Sequence, residues 1–430
     1  MTRNAEASLL VGAAVLAAVG VALVNFAAGA GMDAQVALTF LVFVLAFGGL
    51  HLAVRRWAGT ANPYLYPLAA VLTAIGFVMV YRLDRDLAAL QRWSLLVAAG
   101  VSALVLFALR DEGVHALRRF RYIFLLAAVV LLALPLLPED WPVYGAEVFG
   151  SRLWVRVDVP VIDRTLSFQP GEVAKLLLTI FLASYLADRH LAMTTGRKVG
   201  ALSIPDPRQV FPVAIAAAAS FLVLIYQRDL GASLLLFVLF IGMMYVATGR
   251  VGYLFTGAAL VGVGGVVAYR AFDHVQRRVA AWLHPFDDFT DTGYQIAQSL
   301  FAMGSGSLTG SGLGLGRPDL IPAAATDFVF AAVAEEMGMA GSIAVITAYA
   351  LLIAAGFGIA LRARDVFRKF LAAGLTLVIG VQAFLILAGV MRLLPVTGIT
   401  LPFMSYGGSS LLANMVLVTL LVRISHGERA

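Results

Sequence analysis

Apolar residues run along this chain in blocks of about twenty, separated by short stretches rich in arginine, aspartate, glycine and proline. Twelve such blocks stand near 8–29, 35–54, 64–81, 93–109, 121–137, 172–187, 210–226, 230–248, 252–270, 326–361, 370–390 and 408–423. All but the tenth have about the length an α-helix needs to cross a bilayer. The pattern predicts an all-α, polytopic membrane protein with about twelve transmembrane helices. The tenth block is too long for one straight crossing, so part of it is expected to leave the span for a loop or a neighbouring aqueous region. The first has the outline of a signal peptide, since Ala28-Gly29-Ala30 looks cleavable. Its apolar run exceeds a signal core and only Arg3 precedes it, which predicts a retained span.

Composition agrees with that reading. Of 430 residues, 61% are hydrophobic and 13% charged, with a mean hydropathy of +0.91; soluble domains carry about twice that share of charge. The 31 basic and 25 acidic residues leave a net charge of +6. In such a chain the excess belongs to inner loops, and no nucleic-acid partner is expected. Arg55, Arg56, Arg118, Arg119, Arg121, Arg197, Lys198, Arg362, Arg364, Arg368 and Lys369 fall in alternate connections. The positive-inside rule then places both termini in the cytoplasm. With no cysteine there is no disulfide, thiolate nucleophile or zinc–thiolate site, and the six histidines show no metal-binding spacing. No internal repeat of the transporter kind is visible. Two outer connections are long, about 138–171 and 271–325, and their many aromatics predict ordered segments at the outer interface.

Those two loops hold most of the candidate chemistry. Asp287, Asp288 and Asp291 lie among Trp282, Phe286, Phe289 and Tyr294, and are followed by Gln295, Gln298 and Ser299. The cluster reads either as a solvated acidic loop or as a carboxylate in a partly desolvated place, with a raised pKa suited to a general base. The glycines from Gly304 to Gly316 read either as amides turned onto phosphate or as a flexible or re-entrant turn. No Lys-Ser/Thr follows them, so this is not a nucleotide P-loop. Glu172 and Lys175, three apart at the start of a helix, can pair, and Lys175 can also hold a phosphate as a point charge. Gln227-Arg228-Asp229 form a tight outer hairpin, Asp327 opens the tenth block, and Glu335-Glu336 follow two turns later. Arg392 precedes a Pro/Gly-broken segment carrying Thr397, Thr400, Ser405, Tyr406, Ser409 and Ser410. Taken singly these groups suit helix-to-helix hydrogen bonds; together they point to a polar cavity open to the outer face.

Six of these segments, in order, resemble the SEDS family (shape, elongation, division and sporulation) of RodA and FtsW cell-wall polymerases. They are Ser151-Arg152-Leu153-Trp154; Phe168-Gln169-Pro170-Gly171-Glu172-Val173-Ala174-Lys175; Gln227-Arg228-Asp229-Leu230-Gly231; Gly293-Tyr294-Gln295 with Gln298-Ser299; Thr326-Asp327-Phe328-Val329-Phe330 with Glu335-Glu336; and Leu394-Pro395-Val396-Thr397-Gly398 with Pro402 through Ser410. The resemblance implies a ten-span glycosyltransferase domain over 63–424, preceded by two additional helices in 1–62 and followed by a short cytoplasmic tail, 425–430. The two extra spans look like the RodA-like branch. The implied activity is polymerisation of lipid II into glycan strands, with inversion, on the outer face of the bacterial cytoplasmic membrane, beside a class B penicillin-binding protein.

The family's essential aspartate, five positions before Gly-Tyr-Gln, falls on Asp288, which would take the proton of the acceptor hydroxyl. Lys175, Arg152 and Arg228, in that order, are candidates for the leaving pyrophosphate. Trp154, Glu172, Tyr294, Gln295, Gln298, Ser299, Thr326, Asp327, Ser405, Ser409 and Ser410 complete the implied substrate site. The sequence sets no cofactor; a divalent cation, Mg²⁺ or Mn²⁺, at the pyrophosphate is left open. The chain departs from the family at Phe289 and Asp291, where Pro and Gly are common, at Ala325 for His and at Gly171 for Ser. Rival readings are a lipid II flippase or other transporter, a non-catalytic scaffold, and an FtsW-type division protein.

Overall fold

The computed structural model describes residues 3–138, 140–148, 151–159, 164–194, 197–199, 202–204, 207–287 and 291–426. Helices α1 (Arg3–Ala27), α2 (Ala34–Trp57), α3 (Leu65–Leu83) and α4 (Arg85–Ala108) follow the first four apolar blocks. A short α5 (His115–Arg119) precedes α6 (Arg121–Ala133), α7 (Pro170–Thr194), α8 (Pro207–Tyr226), α9 (Leu230–Thr248) and α10 (Gly252–Ala271). The long second loop contributes α11 (Asp273–Leu283) and α12 (Asp291–Ser305), and the chain ends with α13 (Val329–Glu336), α14 (Gly338–Arg362), α15 (Val366–Val390) and α16 (Gly408–Ser425). Ten described helices are long and apolar enough to cross a membrane, and shorter apolar helices cover Arg121–Leu136 and Phe211–Ile225. The protein is an all-α, multi-pass membrane protein. The overlong tenth block resolves as expected: α14 is the crossing, and 326–336 form a turn and the separate buried helix α13. Gly338, with φ +64°, divides the two helices.

Helix limits follow local chemistry. Asp33 and Asp84 accept backbone amides at the starts of α2 and α4, and Asp229 does so for Ala232 at α9. Gly249 ends α9 in the left-handed conformation.

The chain divides into two compact units. The first comprises Met1–Arg110, Gly262–Ala355 and Gln382–Ala430. Here α1 packs on α2 and α3, and α4 packs on α2 and α16. Lipid tails are as apolar as leucine, so close backbone approach and polar contacts must hold such helices together. Buried Asn25 of α1 supplies one: its Oδ1 accepts from Tyr81 Oη at 3.0 Å, and its Nδ2 donates to Asp33 at 3.0 Å. Arg423 of α16 donates to the carbonyls of Leu109 and Arg110 at 2.8 and 3.0 Å, capping the end of α4.

The second unit comprises Asp111–Val261 and Gly356–Val381, with α7 packed on α6 and α9. The first long loop holds an antiparallel sheet not foreseen above: β1 (Val143–Val148), β2 (Ser151–Val159) and β3 (Arg164–Phe168), in the order β1-β2-β3. Its signal is the alternation Val155-Arg156-Val157-Asp158, with Val155 buried and Arg156 and Asp158 exposed.

Gly76 in α3 marks a close approach between elements of the first unit, since a methyl group there would collide with the backbone of Met404. Gly76→Ala should therefore destabilise the protein by about 1–3 kcal/mol, as overpacking does, read as a lower unfolding temperature in detergent. Gly12→Ala, facing open space, should leave it unchanged; equal effects of the two would contradict this packing.

Candidate functional site

In the first unit, the glycine-rich loop closes around the end of α13. The amides of Ser311 and Gly312 donate to the carbonyls of Glu335 and Glu336 at 2.9 and 3.0 Å. Gly314 N donates to Glu336 Oε2 at 2.9 Å and Arg317 N to Glu335 Oε1 at 2.8 Å. Arg82 of α3 completes the arrangement, donating Nε to Glu336 Oε1 at 3.1 Å and its Nη2 to Gly316 O at 3.0 Å. Side chains at 306 and 310 would strike the α13 backbone, which is why glycine stands there. Of the two readings of this loop, a turn packed on α13 is what forms: the amides of Ser311, Gly312, Gly314 and Arg317 all face acceptors on α13.

α12, which leads into this loop, packs on α13 and on α11, and α11 and α12 flank the acidic stretch in the sequence. At the end of α11, Trp282 Nε1 donates to Arg392 O at 3.0 Å, while Arg392 returns bonds to Trp282 O and Leu283 O at 2.8 and 2.7 Å. Arg392 itself adopts φ +59°, a conformation unusual for arginine and held by this reciprocal clamp. On the far side, Phe286 meets Phe301 of α12 at 5.8 Å, and buried Ser299 donates to Val390 O at 3.3 Å. Asp288 lies outside the described residues, as do Phe289 and Thr290, and Asp291 begins α12. Asp287 is solvent-exposed beside His284 at 3.5 Å, so the desolvation expected of the cluster does not extend to it.

Beside this stretch lies a cleft of about 80 Å³ lined by Arg278, Ala281, Gln295, Ile296, Asp327, Val396 and Gly398. It brings together three groups the sequence holds far apart: Gln295 of α12, Asp327 before α13, and the turn after α15. Arg278 was not foreseen; it stands on the polar side of α11 and donates to Thr397 O at 3.2 Å. The Gln276-Arg277-Arg278 run beside Trp282 was its only signal. Burial pushes the Asp327 carboxyl up to about 6, against the lowering pull of Thr326 and Arg278.

The hydroxyl-rich segment joins the same region. Ser405 Oγ donates to Thr326 O and accepts from Leu401 N at 2.8 Å, and Tyr406 N donates to Ala325 O at 2.8 Å. Ser410 Oγ accepts from Thr400 Oγ1 at 2.8 Å and from Asn414 at 3.2 Å. Ser405, Ser409 and Ser410 are buried, and Tyr294 and Gln298 are half-buried on α12.

The second unit holds the other predicted residues. Glu172 and Lys175 pair at 2.6 Å in the first turn of α7, both buried. Arg152 and Glu147 face each other across β1 and β2 at 3.5 Å, and Trp154, opposite Ala146, is half-buried. In the hairpin, Gln227 donates to Leu132 O, Asp229 caps α9, and Arg228 is exposed with φ +60°. Among the described residues no three histidine, aspartate or glutamate side chains converge as a protein-built metal cage requires.

The profile of the FtsW/RodA/SpoVE family, described as cell cycle protein, matches residues 63–430. The chain is 41% identical to the peptidoglycan glycosyltransferase RodA of Mycobacterium tuberculosis, over 99% of this chain and 91% of that one. It is 32% identical to the stage V sporulation protein E of Bacillus subtilis, over 84% of this chain and 96% of that one. Among solved structures, a chain of a peptidoglycan synthase complex that coordinates polymerization and crosslinking superposes with a TM-score of 0.67. It shares 27% identity and covers 86% of this chain and 98% of its own. The rod shape determining protein RodA of Thermus thermophilus gives 0.57 at 26% identity, over 86% and 98%.

Asp327 makes stability depend on pH with a definite sign. The folded protein keeps this proton up to about pH 6, whereas an unfolded aspartate releases it near pH ~4. Between those values the folded state binds more protons, so this carboxyl's contribution falls as pH rises from about 4 to about 6 and is level above. Asp327→Asn should remove that part of the slope in thermal unfolding; an unaltered slope would show that Asp327 titrates normally.

Proposed function

The chain belongs to the FtsW/RodA/SpoVE family of cell cycle proteins, and from that membership we propose that its polar loops form the site of glycan polymerisation. It is a peptidoglycan glycosyltransferase of the RodA type. The observation that carries this is the 41% identity to mycobacterial RodA across 99% of the chain, whereas sporulation and division relatives cover 84% and 83% of it.

The donor in this reading is lipid II, a polyprenyl-pyrophosphoryl disaccharide whose tail lies among the spans while its sugars reach the outer loops. The acceptor hydroxyl is a poor nucleophile until its proton leaves. Asp288 takes that proton as the hydroxyl oxygen bonds to the donor C1 and the C1–O bond to the pyrophosphate breaks, with inversion. The flanking anchors support this role: the Trp282–Arg392 clamp holds the end of α11 before the acidic stretch, and Phe286 meets Phe301 of α12, the helix that follows it. For the pyrophosphate, Lys175, Arg152 and Arg228 are proposed on charge. Lys175 is already matched by Glu172, so it would offer less free positive charge than exposed Arg228. A divalent cation would take most of its ligands from the pyrophosphate and water, as magnesium commonly does.

Asp288→Asn keeps the shape and removes the base, so lipid II polymerisation by the purified protein should fall by about 10²–10⁴-fold with little change in folding. Asp287→Asn and Asp291→Asn should cost much less. Loss of activity in Asp291→Asn with Asp288→Asn intact would move the base, and indifference to all three would favour transport over polymerisation.

Orientation and partnership are parts of the same proposal. Both termini face the cytoplasm, so accessibility labelling should find residue 290 outside and Ala430 inside; the reverse result would remove the site from its substrate. The protein works beside a class B penicillin-binding protein, which supplies crosslinking. Its glycan synthesis should rise when the cognate partner is added, and full activity of the isolated chain would contradict that coupling.

A further inference from the structure

The second unit carries a basic cavity that the polymerase reading does not use. It measures about 500 Å³ and is lined by His115, Arg118, Arg119, Arg121, Tyr122 and Asp188. Three guanidiniums thus face one carboxylate. Arg118 and Arg121 donate to opposite oxygens of Asp188 at the end of α7, which holds two like charges side by side against their repulsion. Each guanidinium has five N–H donors, so these bonds hold the pair and leave further donors on two arginines that line the cavity. Arg121 also lies over the Tyr122 ring at 5.0 Å, and Arg119 over Phe120 at 5.9 Å. His115 Nε2 stands 3.9 Å from Asp365.

The surface adjoining this cavity is apolar. On α6, Tyr122, Ile123, Leu126 and Val130 are 56%, 61%, 66% and 50% exposed. At 100° per residue they share one face of the helix, and that face begins at the arginine cluster. A phosphate-sized anion attached to hydrocarbon chains matches both halves at once, with the headgroup among the guanidiniums and the chains along α6. A free anion would use only the first half.

We propose that the cavity between the α5–α6 turn and the end of α7 binds the headgroup of an anionic phospholipid, whose acyl chains lie along the exposed face of α6. Arg118, Arg119 and Arg121 make charge-assisted bonds to its phosphate oxygens, and Asp188 is the residue that positions two of them. Basic pockets of this kind at the ends of membrane helices select anionic headgroups over zwitterionic ones. The site involves none of the residues assigned to glycan chemistry.

The test uses the full-length protein in neutral detergent micelles, titrated with phosphatidylglycerol or phosphatidylcholine and read by native mass spectrometry. Micelles present lipid to every surface, so the result is independent of which side of the membrane the cavity faces. Phosphatidylglycerol should be retained in preference to phosphatidylcholine. Replacing all three arginines by glutamine should weaken its binding by about five-fold per charge removed, or roughly 100-fold in all. Arg119→Gln alone leaves the Asp188 contacts standing and should show the single-charge effect, which keeps the proposal testable should the triple variant fold poorly. Arg55→Gln/Arg56→Gln, with charge removed from the end of α2, should bind as the wild type does. Wild-type retention by the triple variant or by Arg119→Gln would overturn the proposal. So would an equal loss in the α2 variant, displacement of the lipid by millimolar inorganic phosphate, or stronger retention of an acidic peptide than of phosphatidylglycerol.

Discussion

The carboxylate of Glu336 is the point on which the loop-bearing end of the first unit depends. It is buried, so its charge must be matched within the protein. Arg82 of α3 and the amide of Gly314 do this, tying a membrane helix, the glycine-rich loop and α13 to one side chain. A buried pair of this sort adds little stability over an apolar substitute, but losing one partner is costly, on the order of 3–5 kcal/mol. Its value here is geometric. The loop is required to return onto α13 at one register, and glycines at 306 and 310 permit the approach.

The neighbouring helices are fixed by further contacts. α12, which leads into the loop, packs on α13 and α11, and Arg392 fastens the end of α11. The Thr400–Ser410 segment spends its hydroxyls on the Ala325–Thr326 backbone and on α16 rather than displaying them. The proposed base, Asp288, stands in the sequence between α11 and α12. The mycobacterial relative matched over 99% of the chain is a peptidoglycan glycosyltransferase, in keeping with such an architecture.

The helices were legible because the bilayer leaves few choices: every backbone group must bond within the span, so apolar length alone marks α1 to α4 and α14 to α16. Asp33, Asp84 and Asp229 cap helix starts in the structure, a local signal that the apolar blocks alone do not carry. What escaped was tertiary or masked by stronger signals. The β1–β3 sheet was hidden among aromatics read simply as interfacial, although Val155-Arg156-Val157-Asp158 carries a strand's period. The glycine run admitted two readings because glycine serves any close approach, to phosphate or to backbone. Deciding between them needs the position of Glu335 and Glu336, some twenty residues away. Arg278 was missed since its partners, Thr397 and the Asp327 cleft, are distant in sequence. For Asp288 the expectation came from its spacing to Gly293-Tyr294-Gln295, and the carboxylate itself is outside the described residues.

The most direct test of the central constraint is amide hydrogen exchange in the full-length protein with and without Arg82. In the wild type, the amides of Ser311, Gly312, Gly314 and Arg317 should exchange slowly, since all four bond to α13. In Arg82→Ala, protection of Gly314 and its neighbours should be lost together, while α3 and α16 remain protected. If those amides exchange quickly in the wild type, or stay equally protected without Arg82, the glycine-rich loop is not organised by Glu336.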